Sequence, residues 1–157
     1  MRFDAHGTDV RAGYGFSLAL FLILFFSPDS LVPLYLFTAS LLHEAGHYAA
    51  LRLSGERVSE LEFTFCGMKI TRNGQLSSFS KDIFIYICGP LVNLIIYFTA
   101  QLFQFGIEFG RINLTLALFN LLPVYSLDGG GALYSFFCTK LTERKAKALS
   151  LYISFVT

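Results

Sequence analysis

The chain has 157 residues, a formal net charge of +1, 54% hydrophobic residues and only 15% charged residues. Soluble domains carry roughly 25% charged residues, and a chain this short could not bury so much apolar surface in one soluble core. The composition therefore argues against an ordinary soluble domain, and the charge gives no indication of a nucleic-acid partner. Because lipid accepts apolar side chains on a protein surface, we expect one membrane-embedded domain over residues 1–157.

Apolar segments follow one another along the chain and predict membrane-spanning helices. A helix needs about 20 apolar residues to cross a bilayer. Core spans are predicted at 31–53, 83–105 and 112–125, after a shorter apolar segment at 13–27 and before a short helix at 130–140. We therefore expect an all-α polytopic membrane protein with about four to five transmembrane helices. The apolar stretch 148–157 is only half a span, so we expect the C-terminus to be truncated.

The sizeable polar stretch lies between the second and third apolar segments and predicts a small β-hairpin insertion at about 56–79. Side chains alternate between polar and apolar from Glu60 to Phe65, which is the pattern of a strand. Asn73-Gly74 is a sequence that favours the tight turn of a hairpin.

Basic residues are distributed unevenly among the connecting segments. None lies between the first two apolar segments, whereas the next polar stretch and the C-terminal region carry Arg52, Arg57, Lys69, Arg72, Lys81, Lys140, Arg144, Lys145 and Lys147. Cytoplasmic segments are enriched in Lys and Arg. The N-terminus and the C-terminal end of the second span are therefore predicted to face the cytoplasm.

A metal-binding motif occupies that cytoplasmic end. His43-Glu44-Ala45-Gly46-His47 has the form H-E-x-x-H within a predicted helix. Residues four apart share a helix face, so both imidazoles can reach one Zn²⁺ ion. Glu44 can then act as the catalytic base towards a water at the metal. Since charged groups inside a span are costly, such a cluster is a functional-site hypothesis by default.

A catalytic zinc site usually has three protein ligands, and Asp128 is the best candidate for the third. It follows the span at 112–125 and precedes three glycines, which would let the backbone come close to the second span. The alternative is that Asp128 is only the N-cap of the helix that follows.

Three motifs in order resemble the site-2 protease family of intramembrane zinc metalloproteases, peptidase family M50. They are the H-E-x-x-H motif, Gly89-Pro90-Leu91-Val92-Asn93, and Asn120-Leu121-Leu122-Pro123 followed by Asp128-Gly129. In that family the last motif supplies the third zinc ligand from a later span. The chain is most similar to the compact subgroup that includes sporulation factor IVFB, which cleaves a membrane-tethered pro-sigma factor.

The resemblance implies an intramembrane zinc endopeptidase that cleaves membrane-tethered proteins near the cytoplasmic face of a bacterial membrane. A transmembrane or membrane-tethered protein substrate, a membrane regulatory partner and the lipid bilayer are the implied partners. It also places Asn93 and Asn120 near the site. Asn93 could be catalytic, by donating to a developing oxyanion, or it could hold helices together; for Asn120 we favour the packing role.

The chain departs from the family pattern at two places. Thr64-Phe65-Cys66-Gly67 keeps only part of the family's Pro-Phe-Gly-Gly-like turn, and Gly131 stands where Arg or His is common. Three other functions remain open: a non-catalytic membrane protein that binds metal or scaffolds a complex, a metal transporter, and a prenyl-protein peptidase. Glu44 argues against the first, the few ionisable residues in the spans against the second, and the lack of a Glu in a late span against the third.

Overall fold

Helices form most of the chain that the computed structural model describes, which comprises residues 2–5, 8–12, 30–55, 58–64, 67–72 and 78–156. The first apolar segment and the Asn73-Gly74 turn lie outside these residues. In chain order the elements are β1 (Arg2–Ala5), β2 (Thr8–Ala12), α1 (Val32–Leu53), β3 (Val58–Thr64), β4 (Gly67–Arg72), α2 (Phe79–Phe103), α3 (Ile107–Asn120), α4 (Asp128–Cys138) and α5 (Glu143–Val156).

The strands form one sheet in the order β1-β2-β3-β4. β3 and β4 pair antiparallel, from Val58 opposite Arg72 to Thr64 opposite Gly67, within the region where the sequence predicts the hairpin insertion. β1 and β2 also pair antiparallel, and β2 runs parallel to β3. The N-terminal pair of strands was not predicted from the sequence.

Helix α2 lies at the centre of the helical part and packs against α1, α3 and α4. It approaches α1 closely because both helices present glycines: a Cβ on Gly46 would lie 2.8 Å from the carbonyl oxygen of Cys88 and 3.1 Å from the Cα of Gly89. α2 and α3 form a tight antiparallel pair, since Gln104 and Gly106 between them take left-handed φ angles of 52° and 65°. Such a turn reverses the chain in very few residues.

Large apolar side chains remain exposed along the helices. Phe98, Leu102 and Phe103 of α2 are 64%, 77% and 71% exposed, which is a large apolar surface for a protein in water. Among the described helices α2 alone is long and apolar enough to cross a membrane by length and composition, with a mean hydropathy of 2.0.

The helix boundaries differ from the predicted spans. The segment predicted as a span at 112–125 is instead the 14-residue helix α3, about 21 Å long at 1.5 Å per residue. That length is too short to cross the roughly 30 Å apolar layer of a bilayer. The multi-pass topology thus stays a prediction.

Candidate metal centre

Helix α1 places the side chains of His43 and His47 on one face of the helix. The two residues lie one helical turn apart, and their rings meet edge to face with centroids 4.7 Å apart. Both are buried, with 4% and 8% of their surfaces exposed. The i, i+4 spacing therefore brings both imidazoles to one point in the interior, as the motif predicts.

Helix α4 brings Asp128 to the same point. α4 begins at Asp128, two residues before the predicted start, and its N-cap is Leu127, which makes no side-chain cap. Asp128 is therefore not the N-cap considered in the sequence analysis. Cβ atoms on Gly129 or Gly130 would collide with backbone atoms of the preceding turn, at Leu121 and Val124. The glycines thus allow a compact turn that delivers the carboxylate.

Three ligand atoms form a small triangle. His43 Nε2 lies 2.8 Å from Asp128 Oδ2 and His47 Nε2 lies 3.2 Å from it, while the two Nε2 atoms are 3.1 Å apart. Ligand atoms on a tetrahedral zinc with bonds near 2.0–2.1 Å lie about 3.3 Å apart. The observed distances of 2.8, 3.1 and 3.2 Å are somewhat shorter than this value. Small outward shifts of the side chains would therefore let the three residues hold a zinc ion.

Hydrogen bonds behind each imidazole fix its orientation. His47 Nδ1 lies 2.8 Å from the carbonyl oxygen of Ile85, which can only accept, so this nitrogen carries the proton. His43 Nδ1 lies 2.6 Å from Asn93 Oδ1. The Asn93 amide nitrogen donates to the carbonyl oxygen of Ala39 at 3.1 Å, so its oxygen is the atom that faces His43.

The Nε2 atoms of both neutral rings consequently present lone pairs. With Asp128 Oδ2 they form three acceptors that face one another without a donor among them. Such a group needs a cation or extra protons between its members. Hydrogen bonding from the outer nitrogen of a ligating histidine is the usual support of a metal site.

Gly89 of α2 provides the space for the imidazoles. A Cβ at this position would overlap Nε2 of His47 and lie 2.9 Å from Nε2 of His43. The glycine of the Gly-Pro-x-x-Asn motif therefore borders the ligand atoms directly, which the sequence alone did not indicate.

Protons on the imidazoles can take the place of a cation among the three ligand atoms. In that state burial alone would raise the pKa of the Asp128 carboxyl, but hydrogen bonds and charge from His43 and His47 outweigh burial and lower the pKa below its usual value. An ionised carboxylate is also the form that binds a metal ion.

Glu44, the predicted catalytic base, is half-buried next to His43. Its negative charge interacts with His47. Asn93 is fully buried and spends both amide hydrogens on Ala39 and Asn113, so it has no hydrogen left for an oxyanion. These bonds join α2 to α1 and α3, as in the alternative that Asn93 holds helices together, and its catalytic role stays a prediction. Asn120 donates to Leu116 O of its own helix, and its packing role between helices stays a prediction.

Two groups at the centre were not predicted from the sequence. The carbonyl of Ile85 carries no sequence signal, because any residue supplies one. Asn113 is a polar residue inside an apolar helix, and its 0% exposure places it in the interior. A buried amide of this kind is a recognisable signal in a membrane protein.

Comparisons with known proteins agree with the predicted resemblance. The model described as Peptidase family M50 matches residues 100–157. Stage IV sporulation protein FB of Bacillus subtilis is 29% identical over 124 residues, which cover 73% of this chain and 43% of that protein. A Synechocystis protein named as a candidate zinc metalloprotease is 29% identical over 113 residues, covering 65% of this chain and 30% of its own length.

The fold is also that of a solved structure. The site-2 protease from Methanocaldococcus jannaschii matches with a TM-score of 0.70 and 24% identity, over 96% of this chain and 77% of that one. The resemblance to peptidase family M50 predicted from the motifs is confirmed by the family model and the two relatives. The chain spans less than half the length of the two curated relatives it matches.

Proposed function

We propose that this chain, a relative of the M50 peptidases, is a zinc endopeptidase that cleaves proteins within a membrane. The observation that carries the proposal is the meeting of three lone pairs at 2.8–3.2 Å, from His43, His47 and Asp128. Nothing in ordinary helix packing requires three acceptors to converge, whereas a catalytic zinc site does.

The chemistry is divided between the ion and the chain. His43, His47 and Asp128 would hold zinc, which when bound polarises a carbonyl group and lowers the pKa of water towards about 7. Glu44 takes a proton from the water as its oxygen attacks the scissile carbonyl carbon. The same carboxyl group then delivers the proton to the leaving amine as the C–N bond breaks. Asn93 and the Ile85 carbonyl keep the two rings oriented throughout.

The surroundings of the site support one class of substrate. The ligands come from α1 and α4, both packed around the apolar helix α2, so we propose protein substrates tethered to the membrane. Precursors of transcription regulators are one such class. We further propose that the chain crosses the bilayer several times with its N-terminus and active site towards the cytoplasm, which the distribution of basic residues supports.

A helical substrate must be unwound before its carbonyl groups can react. Strand β4 is an edge of the described sheet and contacts α1, the helix of the two histidines. An edge strand can hold an extended peptide by strand addition. We therefore propose β4 as the element that presents the substrate.

The variant Glu44→Gln tests the proposal. It keeps the size of the side chain but removes the base, so zinc content should stay at the wild-type level while cleavage falls by more than about 100-fold. The measurement is cleavage of a membrane-tethered reporter in detergent, with zinc determined on the same samples and a chelator-treated wild type as the control. A Glu44→Gln protein that cuts at the wild-type rate would refute the role. A wild type that binds zinc but cleaves no tethered protein would favour a metal-binding scaffold.

A further inference from the structure

The buried amide of Asn113 lies in a hydrogen-bonded row that ends at the metal ligands. The side-chain nitrogen of Asn113 donates to the carbonyl oxygen of Phe109, one turn earlier in α3, at 2.8 Å. Its side-chain oxygen accepts from the amide nitrogen of Asn93 at 2.8 Å. Asn93 in turn accepts from Nδ1 of His43 at 2.6 Å.

The polarity of this row is determined by backbone carbonyls. Phe109 O can only accept, so the nitrogen of Asn113 faces it and the oxygen of Asn113 faces α2. Asn93 has two amide hydrogens, and Ala39 O and Asn113 Oδ1 each take one. The side-chain oxygen of Asn93 is then the acceptor presented to His43, so Nδ1 carries the proton and Nε2 faces the other ligands.

Because these hydrogen bonds are buried, the loss of any one of them would cost free energy. Asn93 and Asn113 are both 0% exposed, so water cannot replace a missing partner. An amide hydrogen left without an acceptor in an apolar interior is costly. Without Asn113, Asn93 could regain an acceptor only by rotating its amide, which would turn donors towards His43 and oppose the protonated Nδ1.

We propose that Asn113 is a positioning residue that tunes the metal affinity of His43 through Asn93. The row joins three helices, α3, α2 and α1, and sets which nitrogen of His43 is available for the metal. The inference rests on the proposed metal site but does not require that the protein be a protease.

The test compares two substitutions of similar shape. Asn113→Leu removes both polar contacts, whereas Asn113→Asp keeps an oxygen for Asn93, and burial favours its protonated form, which can donate to Phe109 O. Zinc affinity is measured by competition with a chromophoric chelator, at one pH, on the full chain in detergent. Outer-shell partners of metal ligands are typically worth 10- to 100-fold in affinity. We expect about a tenfold loss for Asn113→Leu and a smaller one for Asn113→Asp.

A double-mutant cycle separates positioning from general stability. If Asn113 acts through Asn93, zinc binding by Asn93→Leu should not weaken further when Asn113→Leu is added. Thr115→Val is the matched control, because Thr115 on the same helix bonds Arg111 O at 3.0 Å and is exposed. It should leave zinc affinity unchanged.

Three results would overturn the inference. They are wild-type zinc affinity in Asn113→Leu, equal losses in Asn113→Leu and Asn113→Asp, or additive losses in the double variant. Should Asn113→Leu not fold, Asn113→Ala removes the same amide without added bulk and replaces it in every comparison. A wild type that holds zinc without cleaving protein would refute the proposed function alone, and the affinity cycle would still decide the role of Asn113.

Discussion

At the scale of single residues, the metal centre depends on which atoms can donate and which can only accept. The carbonyl oxygens of Ile85 and Ala39 decide the proton positions on His47 and His43. Neither carbonyl belongs to a motif, so the motif residues alone leave the orientation of the rings open. The backbone of α1 and α2 is therefore as much a part of the site as the ligands.

The ligand role of Asp128 gives the sharpest prediction at this scale. Asp128→Ala removes one of the three ligand atoms, so zinc affinity should fall by more than about 100-fold, beyond the loss caused by an outer-shell partner. Metal content after dialysis against a weak chelator measures it. Glu108→Ala, a change of an exposed acidic residue in the first turn of α3, should retain the wild-type content. Equal zinc content in the two variants would exclude Asp128 as a ligand.

The sequence predicted which three candidate ligands come together, but not the groups behind them. His43 and His47 form a local pattern, and Asp128 was recognisable from the glycines after it, although 81 residues separate it from His47. The role of Asn93 could not be predicted, because the orientation of its amide depends on Ala39, 54 residues away. Asn113 was visible as a polar residue among apolar ones, but its contact with Asn93 depends on how α3 packs on α2.

At the scale of helices, the close packing of α1 and α4 against α2 determines where the candidate ligands lie. The predicted spans identified α1 and α2 nearly at their observed bounds, but α3 ends at Asn120 rather than near residue 125. The apolar residues Leu121 and Leu122 continue the hydropathy pattern, yet they belong to the turn that leads to Asp128. Hydropathy cannot distinguish such a turn from a span, because the turn is apolar as well.

Gly89→Ala tests the importance of the approach between α1 and α2. The new methyl group would occupy the space of the His47 and His43 rings, so zinc affinity should fall by at least about tenfold. Gly110→Ala is the matched control, since its Cβ would lie 2.7 Å from the Cβ of Ala100, away from the ligands. We expect Gly110→Ala to lower the thermal midpoint of unfolding but to keep zinc affinity. Equal zinc affinity in both variants would show that Gly89 only packs helices.

At the scale of the whole molecule, the exposed apolar surface favours a lipid or detergent environment. Besides the α2 residues, Phe105 and Phe155 are 83% and 90% exposed. The chain has too few charged residues to cover this surface. The exposed apolar surface could therefore be predicted from composition alone. The parallel pairing of β2 with β3 could not be predicted, because it joins segments about 50 residues apart and neither strand carries a signal for the other.

Membrane association is the prediction at this scale. The expressed chain should sediment with membranes, resist extraction by alkaline carbonate, and dissolve only in detergent, because exposed apolar side chains of this number favour lipid over water. A peripheral membrane protein in the same cells serves as the extracted control. Release of the chain by carbonate would contradict a transmembrane location.

The parallel pair β2–β3 bears on the proposed multi-pass topology. Val10 lies opposite Leu61 in this pair, and we propose that both strands lie on one side of the apolar layer. Residues 13–57 connect the two strands, so under this proposal that part of the chain would cross the bilayer an even number of times. The N-terminus and the end of α1 would then share a compartment, as the distribution of lysine and arginine also predicts.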